Sequence, residues 1–306
     1  MNVYKLNVRT QGYWFLSKDE YEQRTGRRSP WYKVSDAGKP RYFAICPACN
    51  NPIQIIGFYK LPPNVNSPFA KHYGTSVPGV GIFDREAYLD CPYSDTTKST
   101  SSDKGKRTPS ELSRQILEIL IEHFDKVIWM LSTVTGIKID EKLALGMLKQ
   151  YKQEEGWLYS KATLMNIPWI FAYMSDNQKF LFKKINDLKL LKKLVSLAPD
   201  ELDMTSRGYI VKATTCKKRI ELSLYFTRHH SAVTEHILSE SMAMVILLEV
   251  NGEKPRELYR KSIDFDFNYF NYFNYFNNIV NFSSWKSTEV GNKLLMHAKD
   301  ILGECL

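Results

Sequence analysis

Residues 42–94 begin with YFAICPAC and end with CPYS, and they contain one histidine, His72. Cys46 and Cys49 are separated by two residues and follow an apolar run, and Cys91 is the third cysteine of the stretch. Three thiols and one imidazole are the ligand set of a tetrahedral Cys3His zinc site. The sequence therefore predicts one zinc ion bound by four side chains, those of Cys46, Cys49, His72 and Cys91.

The first cysteine pair lies between two predicted strands. The apolar run 42–45 leads into it, the Asn-Asn-Pro sequence at 50–52 predicts a turn, and residues 53–59 predict a returning strand. Zinc ribbons have this arrangement, because a tight turn between two strands places both sulfurs about 2.3 Å from one ion. The pattern favours a small zinc-ribbon-like β module.

The second half of the pattern departs from a zinc ribbon, because Ser94 stands where a fourth cysteine would be expected. His72, Asp90 and Asp95 are then the candidates for the fourth ligand. We choose His72, because imidazole is the more common partner of three thiolates and the loop 61–81, rich in proline and glycine, can fold back to deliver it. Four protein ligands leave no open position, so the zinc ion would be structural.

Two other interpretations of the cysteines stay open. Cys46 and Cys49 could be buried thiols without a metal ion. A redox-active CxxC motif fits less well, because such a motif lies at the N-terminus of a helix, whereas residues 50–55 continue as a turn and a strand. The protein has five cysteines, three of them in the N-terminal third, which favours a reducing cytoplasm over a disulfide framework.

The composition is that of a globular protein. The chain has 306 residues, of which 43% are hydrophobic and 25% charged, and this length allows two domains of ordinary size. No apolar run approaches the roughly 18–20 residues of a membrane-spanning helix, and the first residues lack the pattern of a signal peptide. We therefore expect a cytoplasmic protein without membrane contact.

A polar segment divides the chain. Residues 95–107 are rich in serine, threonine and lysine and contain no apolar side chain, which is typical of a solvated linker. We predict three parts: a zinc-binding ribbon-like module at 1–97, a polar basic linker at 98–107 and a second domain at 108–306.

Hydrophobic periodicity predicts that the second domain begins with helices and ends with strands. The predicted helices extend to about residue 197 and cover residues 109–135, 140–153, 160–173 and 175–197. Antiparallel strands follow, the last two joined by the hairpin dipeptide Asn251-Gly252, at residues 220–224, 242–250 and 258–267. A terminal helix is predicted at 288–302. The predicted fold class is α+β, a small N-terminal zinc-ribbon-like β module followed by a helical domain with a short antiparallel sheet.

The net charge of +9 and the pI of about 9.1 favour an anionic partner, and nucleic acid is the partner we predict. Ten basic residues are expected to contact it: Arg24, Arg27 and Arg28 near the N-terminus, Lys104, Lys106 and Arg107 in the linker, and Lys183, Lys184, Lys192 and Lys193 on the helix 175–197. Aromatic residues lie among the basic ones at 13–33. They could stack on the bases of a single strand, but we favour a role as a cover for the small core.

Other functions remain as alternatives to a zinc-stabilised nucleic-acid-binding protein. Three tandem Asn-Tyr-Phe triplets at 268–276 could form an aromatic surface for a protein partner or for self-association. The sequence contains no phosphate-binding glycine loop and no Gly-x-Ser-x-Gly or His-Glu-x-x-His motif, so we predict no catalytic residue and a binding protein rather than an enzyme. A metal-dependent nuclease with three carboxylates is the last alternative, using Glu240, Glu249 and Asp264.

The remaining histidines offer little for a metal site. His229 and His230 are adjacent, and neighbouring side chains of a strand point to opposite faces, so the two imidazoles could not readily share one ion. His230, His236 and Glu240 could converge in principle, but surface or loop positions are the simpler interpretation.

Overall fold

The computed structural model describes residues 1–10, 12–94, 104–175, 177–267 and 289–306. These residues form twelve strands: β1 Val3–Tyr4, β2 Trp14–Phe15, β3 Tyr32–Val34, β4 Pro40–Ile45, β5 Pro52–Ile56, β6 Phe69–His72, β7 Gln178–Lys179, β8 Leu202–Met204, β9 Ile210–Lys212, β10 Ile220–Thr234, β11 Ile237–Val250 and β12 Arg256–Asp264. They also form eight α-helices: α1 Lys18–Thr25, α2 Arg85–Leu89, α3 Glu111–Glu122, α4 Phe124–Thr135, α5 Glu141–Gln153, α6 Ile167–Tyr173, α7 Leu188–Leu197 and α8 Glu289–Leu302.

The N-terminal sheet is four-stranded and antiparallel, in the order β3-β4-β5-β6. The last four residues of β4 are all buried, as the apolar run before the first cysteine predicts. Lys5 extends this sheet on one side, because its N–H donates to Ile45 O at 3.0 Å and its carbonyl accepts from Ile45 N at 2.8 Å. The start of the chain is therefore tied to the residue that precedes Cys46.

The larger sheet is also antiparallel, with the order β12-β11-β10-β7. β10 and β11 are long, at 15 and 14 residues, and their register pairs Ile220 with Val250. Residues 251–255 join β11 to β12, and Asn251 and Gly252 have φ values of +56° and +78° in a turn closed by Glu253 N donating to Val250 O at 3.0 Å. The predicted hairpin is confirmed, and β8 and β9 form a separate two-stranded sheet.

The helices pack against the larger sheet and against each other. Asp140 caps α5 by accepting a hydrogen bond from Leu143 N at 3.0 Å, at the predicted start of that helix. The predicted helix 109–135 is two helices, because His123 adopts φ −126° and ψ 22° between α3 and α4. The last helix, α8, contacts α3, α4 and α5. Its buried residues are Leu294, Ala298 and Leu302, which lie on one face.

The predicted fold class is wrong. The C-terminal part is not a helical domain with a short sheet, since it contains a four-stranded sheet with two strands of about 15 residues and a second, two-stranded sheet. The N-terminal part is not a zinc ribbon, since its strands form a four-stranded sheet and only one cysteine pair lies in a turn between strands. The described chain is a mixed structure with four antiparallel sheets.

The predicted helix at 175–197 is a specific error. Residues 178 and 179 form the edge strand β7, and Phe180 N donates to Leu222 O at 3.0 Å. The helix α7 begins only after Asp187, whose side chain accepts from the N–H groups of Lys189 and Leu190. Pairing with β10 overrides the helical periodicity of this segment, because edge pairing satisfies backbone groups that a helix would satisfy internally.

One cluster of buried apolar side chains extends from Met1 to Leu302 and includes the three cysteines at positions 46, 49 and 91. Residues 104–107 join the body too, since Arg107 N donates to Leu158 O at 2.7 Å and Ser160 N donates to Gly105 O at 2.8 Å. The division at 97 and 107 stays a prediction. Among the described residues, no helix combines the length and apolar composition that crossing a bilayer requires.

Candidate metal centre

The first two cysteines lie in a tight turn between β4 and β5. Cys46 N donates to Asn51 O at 2.8 Å, and Asn50 N donates to Cys46 O at 3.0 Å. Asn50 has φ +63°, a left-handed conformation that asparagine tolerates better than most residues. The asparagine after Cys49 therefore suits the turn, which brings the thiols of Cys46 and Cys49 into one group.

The sheet register delivers the histidine. His72 is the last residue of β6, where it lies opposite Ile53 of β5. Its Nε2 is 3.3 Å from Cys49 Sγ, and its ring meets the ring of Tyr88 edge-on at a centroid distance of 5.0 Å. The imidazole is thus held between the turn and α2.

The third cysteine follows the short helix α2. Asp84 caps this helix by accepting from Ala87 N at 3.0 Å, and Asp84 N in turn donates to Asn51 Oδ1 at 2.7 Å. Cys91 N donates to Tyr88 O at 3.1 Å, which closes the chain after the helix. These contacts bring Cys91 Sγ to 3.8 Å from Cys46 Sγ.

The four side chains form one group. The ligand atoms of Cys46, Cys49, His72 and Cys91 all lie within 4.8 Å of one another. The three cysteines are buried, and the histidine is half-buried. The described residues hold no second group of three or more such ligands, and this group can hold one metal ion. Of the other candidates for the fourth ligand, Asp90 lies 3.5 Å from the guanidinium of Arg107, and Asp95 is outside the described residues.

Two of the three thiols, those of Cys46 and Cys91, have pKa values shifted in opposite directions. Burial raises the pKa of the Cys46 thiol, but hydrogen bonds from the two neighbouring thiols and from two N–H groups of the turn outweigh it, so this pKa lies well below its ordinary value. Burial raises the pKa of Cys91 well above its ordinary value, and its contacts with the other two thiols add to the rise. A metal ion bound by these side chains would displace the thiol protons, because thiolates are the metal ligands.

Two buried cations lie beside the cluster. Lys5 is 1% exposed, and its ammonium donates to the carbonyls of Val8 and Thr10 at 3.2 and 3.3 Å. Burial lowers the pKa of Lys5 to about 8, although the charges of Cys46 and Cys49 oppose this shift. The ammonium is therefore close enough to the cluster to interact with its charge.

The second cation is Arg107, whose side chain is 5% exposed. Its Nη2 donates to the carbonyls of Tyr159, Ser160 and Ala162. Burial lowers the pKa of this guanidinium, and the charges of Asp90 and the cluster cysteines oppose the shift. The sequence predicts Arg107 as a solvated contact to nucleic acid, but the structure places it inside, between the cluster and the segment before α6.

The other predicted contacts to nucleic acid lie in separate places. Arg24 lies 2.7 Å from Glu20 and over the ring of Trp14, and Arg27 lies over the rings of Tyr32 and Tyr59. These pairs fit the interpretation of the N-terminal aromatics as a cover. Arg28 is exposed in the turn after α1. In the segment before α3, Lys104 lies over the ring of Tyr173, and Lys106 forms an ion pair with Glu155.

The lysines around α7 differ in exposure. Lys183 and Lys184 are both half-buried in the segment before α7, and Lys183 lies 2.6 Å from Asp140. Lys192 and Lys193 are exposed on α7 itself. The structure therefore does not bring the ten predicted contacts together: those that are exposed lie near α1, before α3 and on α7.

A buried polar pair escaped the sequence analysis. His229 and Glu240 have side-chain exposures of 0% and 1%, with His229 Nε2 3.8 Å from Glu240 Oε1. Asn166 Nδ2 donates to Glu240 Oε2 at 2.9 Å, and Tyr159 Oη lies 3.2 Å from His229 Nδ1. A bulge between Thr227 and His230 explains the position.

The bulge also explains why the regular alternation of side chains along a strand does not predict the position of His229. Arg228 has φ +57°, so His229 leaves the regular alternation of β10 and enters the core. No sequence signal marked this bulge.

Glu249 lies nine residues beyond Glu240 on β11, about 30 Å away at ~3.4 Å per residue, and Asp264 is exposed on β12. The geometry does not gather the three carboxylates of the nuclease alternative, and the Asn-Tyr-Phe repeat lies outside the described residues.

Comparisons of the chain with protein families, with curated proteins and with solved structures found no match to any of the three.

Proposed function

We propose that the cluster binds one structural zinc ion and that the protein binds nucleic acid through a basic surface. The zinc proposal rests on distance. Two thiolates bonded to zinc at about 2.3 Å in a tetrahedron lie about 3.8 Å apart, and a thiolate and an imidazole lie about 3.6 Å apart. The sulfurs of Cys46 and Cys91 are 3.8 Å apart, and Cys49 Sγ and His72 Nε2 are 3.3 Å apart.

The surroundings support a structural role for this zinc. Three thiolates and one imidazole fill all four positions, which leaves none for a substrate. A zinc ion with three thiolates carries one net negative charge, and a buried charge needs a partner. Lys5 and Arg107 supply buried positive charge, and Asn51 Nδ2 donates to Cys49 Sγ at 3.4 Å. Such donors orient the ligands and stabilise the thiolates.

The distribution of charge supports the second part of the proposal. Residues 183–219 contain ten lysines and arginines and four aspartates and glutamates, so six of the nine net positive charges lie there. α7 exposes Lys189, Lys192 and Lys193, which share one face because they are spaced three and four residues apart. Within the described parts of the chain, no carboxylate oxygen lies within 4.0 Å of these three ammonium groups. Reduced cysteines favour the cytoplasm as the compartment.

Binding of labelled nucleic acid at increasing salt concentrations tests this function. We expect the logarithm of the affinity to fall linearly with the logarithm of the salt concentration, because lysines displace condensed counterions. Replacing Lys189, Lys192 and Lys193 with glutamate should weaken binding and reduce this slope by about 0.7–0.9 for each lost phosphate contact. The control variant reverses two exposed lysines of α5, Lys142 and Lys149. Absence of binding at low salt, or salt-independent binding, would refute the proposal.

A further inference from the structure

The turn between β7 and α7 exposes a phenylalanine. Phe182 is 61% exposed, whereas Phe180 is fully buried. Lys183 N donates to Phe180 O at 3.1 Å, and Phe182 is the third residue of this turn, with φ +66°. Bulky side chains rarely adopt this conformation, and glycine or asparagine is preferred at such a position. The backbone of the turn favours glycine, yet the sequence has an exposed aromatic ring there.

A second exposed ring lies on the neighbouring segment. Tyr209 is 39% exposed at the end of the β8–β9 hairpin turn. It is paired with Lys184 in an antiparallel bridge, and Phe182 N donates to Ile210 O at 3.0 Å. Backbone pairing thus places Phe182 and Lys184 on one segment and Tyr209 on the adjacent one.

Two basic residues lie on the same two segments as these rings. Arg207 is exposed in the β8–β9 turn, two residues before Tyr209. Neither Arg207 nor Lys184 has a carboxylate oxygen within 4.0 Å among the described residues. α7 contacts β8, so its exposed lysines belong to the same part of the molecule. We call Phe182, Lys184, Arg207 and Tyr209 the aromatic–basic surface.

We propose that the aromatic–basic surface binds single-stranded nucleic acid. In this arrangement Phe182 and Tyr209 stack on bases, while Lys184 and Arg207 contact phosphates. This inference rests on the proposed function, because it names the form of nucleic acid that the basic part of the protein binds. Single strands are favoured over duplexes because exposed rings need free base faces, and a duplex hides those faces in its own stack. DNA and RNA strands share this chemistry.

The left-handed backbone at Phe182 makes a sharp test possible. Replacing Phe182 with glycine removes the ring and suits the backbone, since glycine adopts positive φ readily. If the ring serves only the fold, Phe182→Gly should destabilise the protein. If the ring serves binding, the same change should leave stability equal or higher and weaken binding of a single strand. The matched control is Phe15→Ser, which removes a phenylalanine that is 52% exposed on β2.

The experiment measures fluorescence anisotropy of labelled oligothymidine, oligouridine and a DNA duplex of equal length, alongside urea unfolding of each variant. We expect tighter binding of the single strands than of the duplex. Phe182→Gly should weaken single-strand binding by at least about fivefold, since stacking contributes about 1–3 kcal/mol for each base. Phe15→Ser should bind as the unchanged protein does. A preference for oligouridine or oligothymidine would say which strand is the ligand, and both results support the proposal.

Several results would overturn it. Equal affinity for duplex and single strand, unchanged single-strand binding by Phe182→Gly, or loss of stability in that variant would each assign the ring another role. An equal loss in Phe15→Ser would move the stacking site to the N-terminal part. If the α7 charge reversals abolish duplex binding while Phe182→Gly has no effect, only this inference fails. If no nucleic acid binds at low salt, the proposed function fails with it.

Discussion

His72 Nε2 lies 3.3 Å from Cys49 Sγ, although 23 positions separate the two residues in the chain. The contact depends on the sheet, because β5 follows the cysteine turn directly and pairs with β6, which ends at His72. Any change that shifts this pairing by one residue would turn the imidazole to the other face of the sheet. The metal site and the N-terminal sheet therefore form together.

Replacement of Gly136 should destabilise the junction of α4 and α7. Gly136 ends α4 with φ +75°, and a Cβ there would lie 2.6 Å from Asp187 Cβ. We expect Gly136→Ala to lower the free energy of unfolding by about 2 kcal/mol or more, because it combines strain with a clash. Urea unfolding measures the change.

The control is Gly38→Ala, since Gly38 has φ +70° with nothing within 4 Å of its Cβ position. The loss of unfolding free energy in this variant should reflect the left-handed backbone conformation alone. Equal losses in the two variants would contradict the predicted clash at Gly136.

Stability should depend on pH through His123. Burial, with a smaller contribution from the Lys126 ammonium, lowers the pKa of His123 from 6.5 to about 4. The unfolded chain therefore binds more protons than the folded one between these values, and stability falls as the pH drops from 6.5 towards 4. A shift of this size corresponds to at most about 3 kcal/mol.

A His123→Gln variant isolates this contribution from metal release at low pH. Urea unfolding of both proteins between pH 4 and pH 7, the window set by the pKa of His123, should show a smaller loss in the variant. The same loss in both proteins would mean that His123 does not titrate in this way.

Removal of the Glu240 carboxylate should destabilise the packing of the start of α6 against the larger sheet. Glu240 accepts from Asn166 and faces His229, and the loss of one member leaves buried polar groups without their partner. We expect Glu240→Ala to lower the free energy of unfolding by about 3–5 kcal/mol. Glu249→Ala, on the half-buried end of the same strand, should change it by no more than about 1 kcal/mol. Similar effects of the two changes would argue against the buried pair.

The ligand cluster and several helix ends could be predicted from local sequence. The Cys46–Cys49 spacing, the cap at Asp140 and the hairpin dipeptide Asn251-Gly252 each carry their structural requirement within a few residues, and the structure has the corresponding elements there. The choice of His72 over Asp90 followed from ligand chemistry. In the structure His72 lies with the cysteines, and Asp90 faces Arg107.

Other features could not be predicted because they depend on distant partners. β7 is a strand only because Gln178 and Lys179 pair with two residues of β10, more than 40 positions later. The His229 side chain is buried only because a bulge interrupts β10. Arg107 lies in a polar sequence, yet its side chain is buried and its Nη2 donates to the carbonyls of Tyr159, Ser160 and Ala162. Periodicity and composition describe a segment by itself, so they miss structure that another segment imposes.

The measurement that tests the central claim most directly is the metal content of protein purified without added metal. We expect about one zinc ion per chain. Cys46→Ser and His72→Ala should lose the ion and unfold the N-terminal sheet, because a structural zinc contributes its binding free energy to folding. Cys216→Ser is the control, since Cys216 lies outside the cluster and should keep the metal. A folded, metal-free protein would show that the three cysteines are core thiols, and it would contradict the account.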